Sequence, residues 1–407
     1  MQEENIKTLS FGCRLNTLET EKIQKMLSPV LKTAIIVNTC AVTAEAERQT
    51  GQAVRKIARE NPNAPIFITG CAATRNPELF LNIRNVSVID NINKMNLDAY
   101  INALKNFPLS QQSSKISKFS HTAPRLSKQF IQIQNGCNHK CAYCITRLLR
   151  GSAFSFEYEN ILMDARNAIK NGFKEIVLTG VDIASYAKNG LLISDLCQNL
   201  LHDVPEIKRL RLSSMDPASP EIFKIINMIQ EDKRMMPHLH LSMQSGSNAI
   251  LHAMHRRHNA DTVYKIFNAA KNQVTFSWDI ICGFPGETDD LFKETLKVVK
   301  ETKPIKIHAF PFSPRPNTEA ANLPNQIKHE ISKQRVRTIS ELSEEIRKQF
   351  MTEQISKEVQ VLVEENNIAR TPNDIAVKIL GSPIPAKTIC DVKLTGMNED
   401  SFTGILL

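Results

Sequence analysis

Between residues 125 and 350 the chain alternates short β-branched runs with amphipathic stretches six times, and this rhythm restricts the possible folds more than any other feature. The runs are FIQIQNGC, EIVLTGV, RLRLSS, HLHLSMQ, FSWDIICGF and KIHAFPF. Strands that alternate with helices form parallel sheets. Six βα units are too few to close an eight-stranded barrel, so an open (β/α)6 partial TIM barrel is expected, with its reactive groups at the carboxyl ends of the strands. Between the first two runs, NILMDARNAIKNGF puts Ile161, Leu162, Ala165, Ala168 and Ile169 on one helical face, with Gly172 at the C-terminal stop. After the Pro-rich SPRPNTEAANLPN, a further helix carries Ile331, Val336, Ile339, Leu342, Ile346 and Phe350 at near-helical spacing.

The flanks read differently. Residues 1–107 show the same alternation on a smaller scale, with strands IKTLSFGC, TAIIVNTC and APIFITGC, which predicts a small N-terminal parallel-sheet domain. Residues 108–124 are Ser-rich and weakly periodic, a linker. Residues 351–407 hold four or five short alternating runs, among them EVQVLVE, DIAVKIL, CDVKLTG and SFTGILL, expected to close into a small all-β barrel. A length of 407 residues fits two or three domains. No apolar run is long enough for a transmembrane helix, and the N-terminus lacks the pattern of a signal peptide, so a cytoplasmic protein with no membrane partner is expected. The formal charge of +9 suits contact with nucleic-acid phosphates.

The nine cysteines carry the chemistry. In a chain without a secretion signal they argue for metal or redox use rather than disulfides. NGCNHKCAYC places Cys137, Cys141 and Cys144 in one loop at the end of the first barrel strand. Three thiolates can hold three irons of a four-iron cluster and leave the fourth open to a substrate. The competing reading is a zinc knot completed by His139 or a distant residue. Separately, Cys13, Cys40 and Cys71 each end one N-terminal strand. In a parallel sheet such ends lie side by side where ligands bind, so these three are candidates for a second metal site. Each taken singly is more readily a small buried hydrophobe than a ligand, the role expected of Cys197, Cys282 and Cys390.

Cys-x3-Cys-x2-Cys on a partial βα barrel resembles the radical S-adenosylmethionine superfamily. FGCRLNTLETE, VNTCAVT and TGCAA resemble the N-terminal domain of its methylthiotransferases, and NGCNHKCAYCITRLLRG, LTGVDIASY, RLRLSSMDP, HLHLSMQSGS, DIICGFPGET and HAFPFSPRPNT continue the resemblance in order along nearly the whole chain. The C-terminal segment resembles the TRAM RNA-binding barrel. The resemblance implies two [4Fe–4S] clusters and S-adenosylmethionine. The cluster of Cys137, Cys141 and Cys144 would cleave S-adenosylmethionine to a 5′-deoxyadenosyl radical; that of Cys13, Cys40 and Cys71 would carry or donate sulfur. A C–H bond of the target would become C–S–CH3. FGCRLNTLETE and HLHLSMQSGS…MHRRH look most like the subgroup that modifies C2 of N6-threonylcarbamoyladenosine at position 37 of tRNA. Other family members act on N6-isopentenyladenosine in tRNA or on a ribosomal-protein aspartate, and the non-enzymatic alternative is a metal-stabilised RNA-binding protein. The implied partners are the tRNA anticodon stem-loop, an electron donor such as a flavodoxin or ferredoxin, and a sulfur donor. Three departures from the typical pattern are Thr146–Arg147 after Ile145, where Ile-Pro is usual, Thr74, where glutamine is usual, and a C-terminal segment that is short and has few aromatics.

Weaker candidates for cofactor binding are Gly180, Ser213, Ser214, Gln244, Gly283 and Gly286, all at strand ends or the turns that follow. Gly180 marks a close backbone approach or a simple strand end. CGFPGET is a Pro-Gly turn or part of a cofactor pocket. HAMHRRH reads as a solvated basic face.

Overall fold

The computed structural model describes residues 6–108, 116 and 127–407. The expected linker, 108–124, lies almost wholly outside them. Packing divides the chain into two compact units. The first is the N-terminal part, to which Gly136–His139 and Cys144–Ser152 also belong; the second holds the remaining residues from 125 onward.

In the first unit four parallel strands lie in chain order: Ile6–Ser10, Ala34–Thr39, Ile66–Gly70 and Val86–Val88. The fourth was not foreseen; its three residues are too few to show a period. The second and third strands are buried along their whole length, which explains their near-continuous apolar sequence. The helix Ala44–Glu60 starts where Thr43 Oγ1 accepts the Ala46 N–H at 3.1 Å, a side-chain N-cap. Ile145 and Leu149, downstream of the cysteine loop, are buried in the same core as Val37, Val54 and Ile68.

In the second unit the six expected strands are present: Lys128–Gln132, Glu175–Thr179, Arg209–Leu212, His238–Gln244, Thr275–Cys282 and Lys306–Pro311. Each runs parallel to the next. The third continues, after Ser213, as Ser214–Met215, which pairs with the fourth. The barrel is open. The helix Tyr158–Lys170 buries Ile161, Ala165 and Ala168 as its periodicity predicts, and Gly172 follows at φ +81° with its N–H on the Ile169 carbonyl at 2.9 Å. The helix His329–Thr352 is rotated from expectation at its start. Ile331 is exposed while Ser332 and Arg335 are buried, because Arg335 binds the Glu287 carboxylate at 2.9 Å.

Five strands, Glu358–Val363, Ile368–Arg370, Ala376–Leu380, Ile389–Met397 and Ser401–Leu406, close the C-terminal barrel. It is joined to the strand-start end of the open barrel by buried charge. Arg211 donates to Glu175 Oε1 at 2.7 Å and to the Pro372 carbonyl at 2.9 Å. Arg209 donates to the carbonyls of Gln360 and Arg370 at 2.7 and 3.1 Å. Lys128 bridges Glu175 and Asp374. Burial alone would raise the Glu175 pKa, but Arg211, then Lys128 and Arg209, outweigh it and hold the carboxyl below its usual range. Arginines that alternate with leucines in RLRL therefore face a sealed interior rather than water.

Candidate iron–sulfur sites

The three N-terminal cysteines follow the ends of adjacent parallel strands. Thr39 is in register with Gly70, so Cys40 and Cys71 leave neighbouring strands at the same level. Gly12 takes φ +88°, and a Cβ there would lie 2.7 Å from Cys40 Sγ; only glycine lets the first strand's end press against that sulfur. Cys13 is exposed; Cys40 and Cys71 are buried. Burial pushes the Cys40 thiol up, the Val42 backbone opposes this, and the Cys71 and Cys13 sulfurs add to the rise.

Behind these sulfurs is a buried charge network that the sequence did not reveal. Arg150 donates to Glu19 Oε1 at 2.8 Å and to Asn16 Oδ1 at 2.7 Å. Lys94 meets Glu19 Oε2 at 2.6 Å. Asn91 Nδ2 lies 3.8 Å from Cys71 Sγ and donates to the Leu149 carbonyl at 3.0 Å. Burial opposes the Arg150 charge, but Glu19, then Cys71, raise its pKa above the usual range. Glu19 is held below its ordinary range because Arg150 and Lys94 outweigh its burial. Arg150 and Lys94 place positive charge beside three thiols, which suits an anionic iron–sulfide group. The first two departures from the family pattern are accommodated locally. Thr74 Oγ1 accepts the Asn91 N–H at 2.8 Å, and Thr146 opens the short helix Thr146–Arg150 that carries Leu149 and Arg150.

The second cysteine triad is local. The Gly136–His139 and Cys144–Ser152 segments pack with the first unit. Gly136 takes φ +68°, and a Cβ there would collide with the Ser152 carbonyl. The Cys137 N–H donates to the Gly151 carbonyl at 3.1 Å, and the His139 N–H points at Cys137 Sγ at 3.4 Å. Backbone N–H groups aimed at cysteine sulfur tune iron–sulfur clusters. Within the second unit, Ala142 donates to the Met254 carbonyl and accepts from Ala320 N–H, at 3.1 and 2.9 Å. Arg256 Nη1 donates to Cys141 Sγ at 3.5 Å.

The weaker candidates occupy distinct settings at the strand ends of the open barrel. Gly180 is a close approach: a Cβ there would lie 2.8 Å from the Gln134 carbonyl, and Gln134 Oε1 accepts the N–H groups of Val181 and Asp182 at 3.0 and 2.8 Å. The Ser213 hydroxyl is buried with no partner among the described residues, whereas Ser214 and Ser242 share a 2.7 Å hydrogen bond. Gln244 has φ +72° at a register shift in its strand, a strained conformation at a functional edge. Gly283 and Gly286 belong to a clasp: a Cβ on Gly283 would meet Ser332 Oγ at 1.9 Å, and its N–H donates to Glu287 Oε2 at 2.6 Å. Gly286 donates to the Asn325 carbonyl at 3.0 Å. Inside the barrel a polar ladder of Thr275, His238, Ser277, His240 and Asp279 is linked at 2.8–3.0 Å.

HAMHRRH is only in part the solvated face its composition suggests. His252, His255 and Arg257 are exposed, but His258 is buried and pushed down to about 4 by burial and by Arg256, and the Arg256 side chain is 7% exposed. The buried partner that draws Arg256 inward is Asp216, in the quoted SSMDP stretch. No helix among the described residues is long and apolar enough to cross a membrane.

An open parallel barrel with a cysteine-rich loop after its first strand defines the radical S-adenosylmethionine class, and the Radical SAM superfamily model matches residues 131–299. Residues 5–90 match Uncharacterized protein family UPF0004. A radical S-adenosylmethionine methyltransferase, TsrM, from Kitasatospora setae has a similar fold, with TM-score 0.55 over 76% of this chain and 66% of that one at 11% identity. The chain is 36% identical to "Threonylcarbamoyladenosine tRNA methylthiotransferase MtaB" of Rickettsia prowazekii, over 98% of its own length and 97% of that protein. It is 29% identical to "tRNA-2-methylthio-N(6)-dimethylallyladenosine synthase" of Rickettsia conorii, over 99% of each. The chain belongs to the threonylcarbamoyladenosine tRNA methylthiotransferase family. It is a radical S-adenosylmethionine transferase, and that class works with S-adenosylmethionine and a [4Fe–4S] cluster.

Proposed function

We propose that the protein adds a methylthio group to C2 of N6-threonylcarbamoyladenosine at position 37 of tRNA. Two separate cysteine triads support the methylthiolation chemistry, and the observation that carries the choice of nucleoside is the 36% identity, over 98% of the chain, to a threonylcarbamoyladenosine tRNA methylthiotransferase. Cys137, Cys141 and Cys144 hold the cluster that engages S-adenosylmethionine. Cys13, Cys40 and Cys71 hold the second, with Arg150 and Lys94 offsetting its negative charge. When bound, these groups supply a carbon-centred radical, sulfur and a methyl group, which acid–base chemistry at an unactivated C–H cannot provide. The chain's own residues position and shield them: Gly12 and Gly136 allow close backbone packing, and Ser213 and Gln244 offer polar groups to the cofactor or nucleoside. Gly180, Ser214, Gly283 and Gly286 shape the loops around that pocket.

We assign residues 1–107 to the sulfur-carrying domain, 125–350 to the radical domain and 351–407 to RNA contact. In the last segment the single aromatic residue, Phe402, is buried, so base stacking is not its means of recognition. Lys378 and Lys393 point outward on strands that both pair with Ser401–Leu406, which suits phosphate contact. A flavodoxin or ferredoxin as electron donor and a separate sulfur donor complete the scheme, in the cytoplasm where tRNA is modified. Nucleoside analysis of tRNA from a deletion strain tests the substrate. The methylthio form of threonylcarbamoyladenosine should vanish and return on complementation; its persistence, or loss of methylthio-isopentenyladenosine instead, overturns the reading.

A further inference from the structure

Arg256 is a long cation held indoors by a defined set of bonds. Its Nη2 donates to Asp216 Oδ1 at 2.9 Å and to the Ser242 carbonyl at 2.8 Å. These two acceptors fix the guanidinium plane. Nη1 is then presented to Cys141 Sγ at 3.5 Å, while Nε has no partner among the described residues. Asp216 is shared: Arg257 also donates to it, at 2.7 Å through Oδ2.

The backbone that delivers Arg256 clasps the cysteine loop as well. The Met254 carbonyl accepts the Ala142 N–H at 3.1 Å, and His255 Nδ1 lies 3.3 Å from the Lys140 carbonyl. His255 takes φ +57°, a left-handed conformation uncommon away from glycine. That reversal, immediately after the helix Asn248–Ala253, turns Arg256 toward Cys141 while His255 and Arg257 stay outside.

We propose that Arg256 is a positioning residue that sets the reduction potential of the cluster held by Cys137, Cys141 and Cys144, through its N–H bond to the Cys141 sulfur. The proposal rests on the assignment of that triad to a cluster. An N–H donor at a ligand sulfur favours the reduced, more negative state of an iron–sulfur cluster and so raises its potential. A guanidinium serving only to fill space or to neutralise Asp216 would have no need of a third bond to a thiolate.

The test uses the full chain, anaerobically reconstituted, with Cys13, Cys40 and Cys71 changed to alanine so that one cluster is read. Iron and sulfide content and the midpoint potential from EPR-monitored titration are measured for this background and for added Arg256→Met, Arg256→Lys and Arg256→Met/Asp216→Asn. The expected result is unchanged iron content with a lower potential in Arg256→Met, and a potential restored part of the way in Arg256→Lys. The double variant removes the carboxylate that loss of Arg256 leaves short of a partner, and its potential is expected to stay low. An unchanged potential in fully loaded Arg256→Met overturns the proposal. So does loss of iron from both Met variants with unaltered unfolding midpoints, since that outcome gives Arg256 a role in loop assembly alone. Absence of iron from the background protein would instead refute the assignment of the triad on which the proposal rests.

Discussion

The two cysteine triads solve one chemical problem by opposite means. Cys13, Cys40 and Cys71 are far apart in sequence and follow the strands of a sheet whose second and third strands are fully buried; on the proposed assignment the fold itself is the ligand frame. Cys137, Cys141 and Cys144 fall within eight residues and need a loop held from outside, by Gly151, Met254, Ala320 and Arg256. Each triad opens on a glycine at positive φ, Gly12 and Gly136, placed immediately before its first cysteine. On the proposed assignment, a metal frame built on strands would be guarded by core stability, and one built on a loop by a few hydrogen bonds.

The sharpest break of this contrast is functional. Cys141→Ala is expected to cut S-adenosylmethionine cleavage by more than roughly a hundredfold, beyond the cost of losing an outer-shell partner. Cys40→Ala should leave cleavage in place and end methylthiolation. Release of 5′-deoxyadenosine and mass spectrometry of tRNA nucleosides read the two activities, and equal loss of cleavage in both variants would remove the division of labour.

Next in size is a stability effect that the frame-by-fold argument predicts for buried charge. Glu175→Gln leaves Lys128, Arg209 and Arg211 short of their shared carboxylate and should cost about 3–5 kcal/mol, read by urea unfolding through Trp278, the sole tryptophan. Because the Glu175 and Glu19 carboxyls are held below their ordinary value of 4.5, their contribution is complete above that value and is lost as pH falls through the folded-state value below it. Unfolding midpoints should therefore drop in acid for the native chain, and Glu175→Gln should flatten that dependence.

Smaller, and aimed at the glycines, Gly12→Ala and Gly136→Ala should each cost about 1–3 kcal/mol locally. Each should deplete iron from its own triad, which iron analysis in backgrounds lacking the other triad can resolve. Equal depletion of both triads by either change would erase the distinction between sheet and loop. The least effect is expected at the C-terminal barrel: Lys378→Glu and Lys393→Glu should each lower the salt slope of tRNA binding by about 1.

Much of this was legible. All six barrel strands, the apolar face of Tyr158–Lys170 and the placing of Cys13, Cys40 and Cys71 after strand ends follow from alternation, because period is a local property. What escaped was short or compensated. Val86–Val88 and Ile368–Arg370 are three-residue strands, below the length at which a period exists. Arg150, Arg209, Arg211 and Arg256 read as surface cations, since charge predicts exposure unless the partner is known. Their partners Glu19, Glu175 and Asp216 lie from 34 to 131 residues away in the chain, or 40 in the case of Arg256 and Asp216. The only advance sign was that Arg150 and Asp216 fall inside stretches that matched the family, a sign that marks importance without naming a role.

The helix Thr146–Arg150 has a further consequence for how the protein is made. Its Ile145 neighbour and Leu149 complete the N-terminal core, and its Arg150 neutralises Glu19. A polypeptide still on the ribosome with only its first 124 residues exposed would lack all three. The N-terminal sheet would wait, partly finished and with Glu19 paired to Lys94 but not to Arg150, until translation had passed the central cysteine loop. Completion of the strand-end triad's surroundings would then follow synthesis of the loop triad, and a fragment cut in the linker should yield aggregates rather than a folded domain.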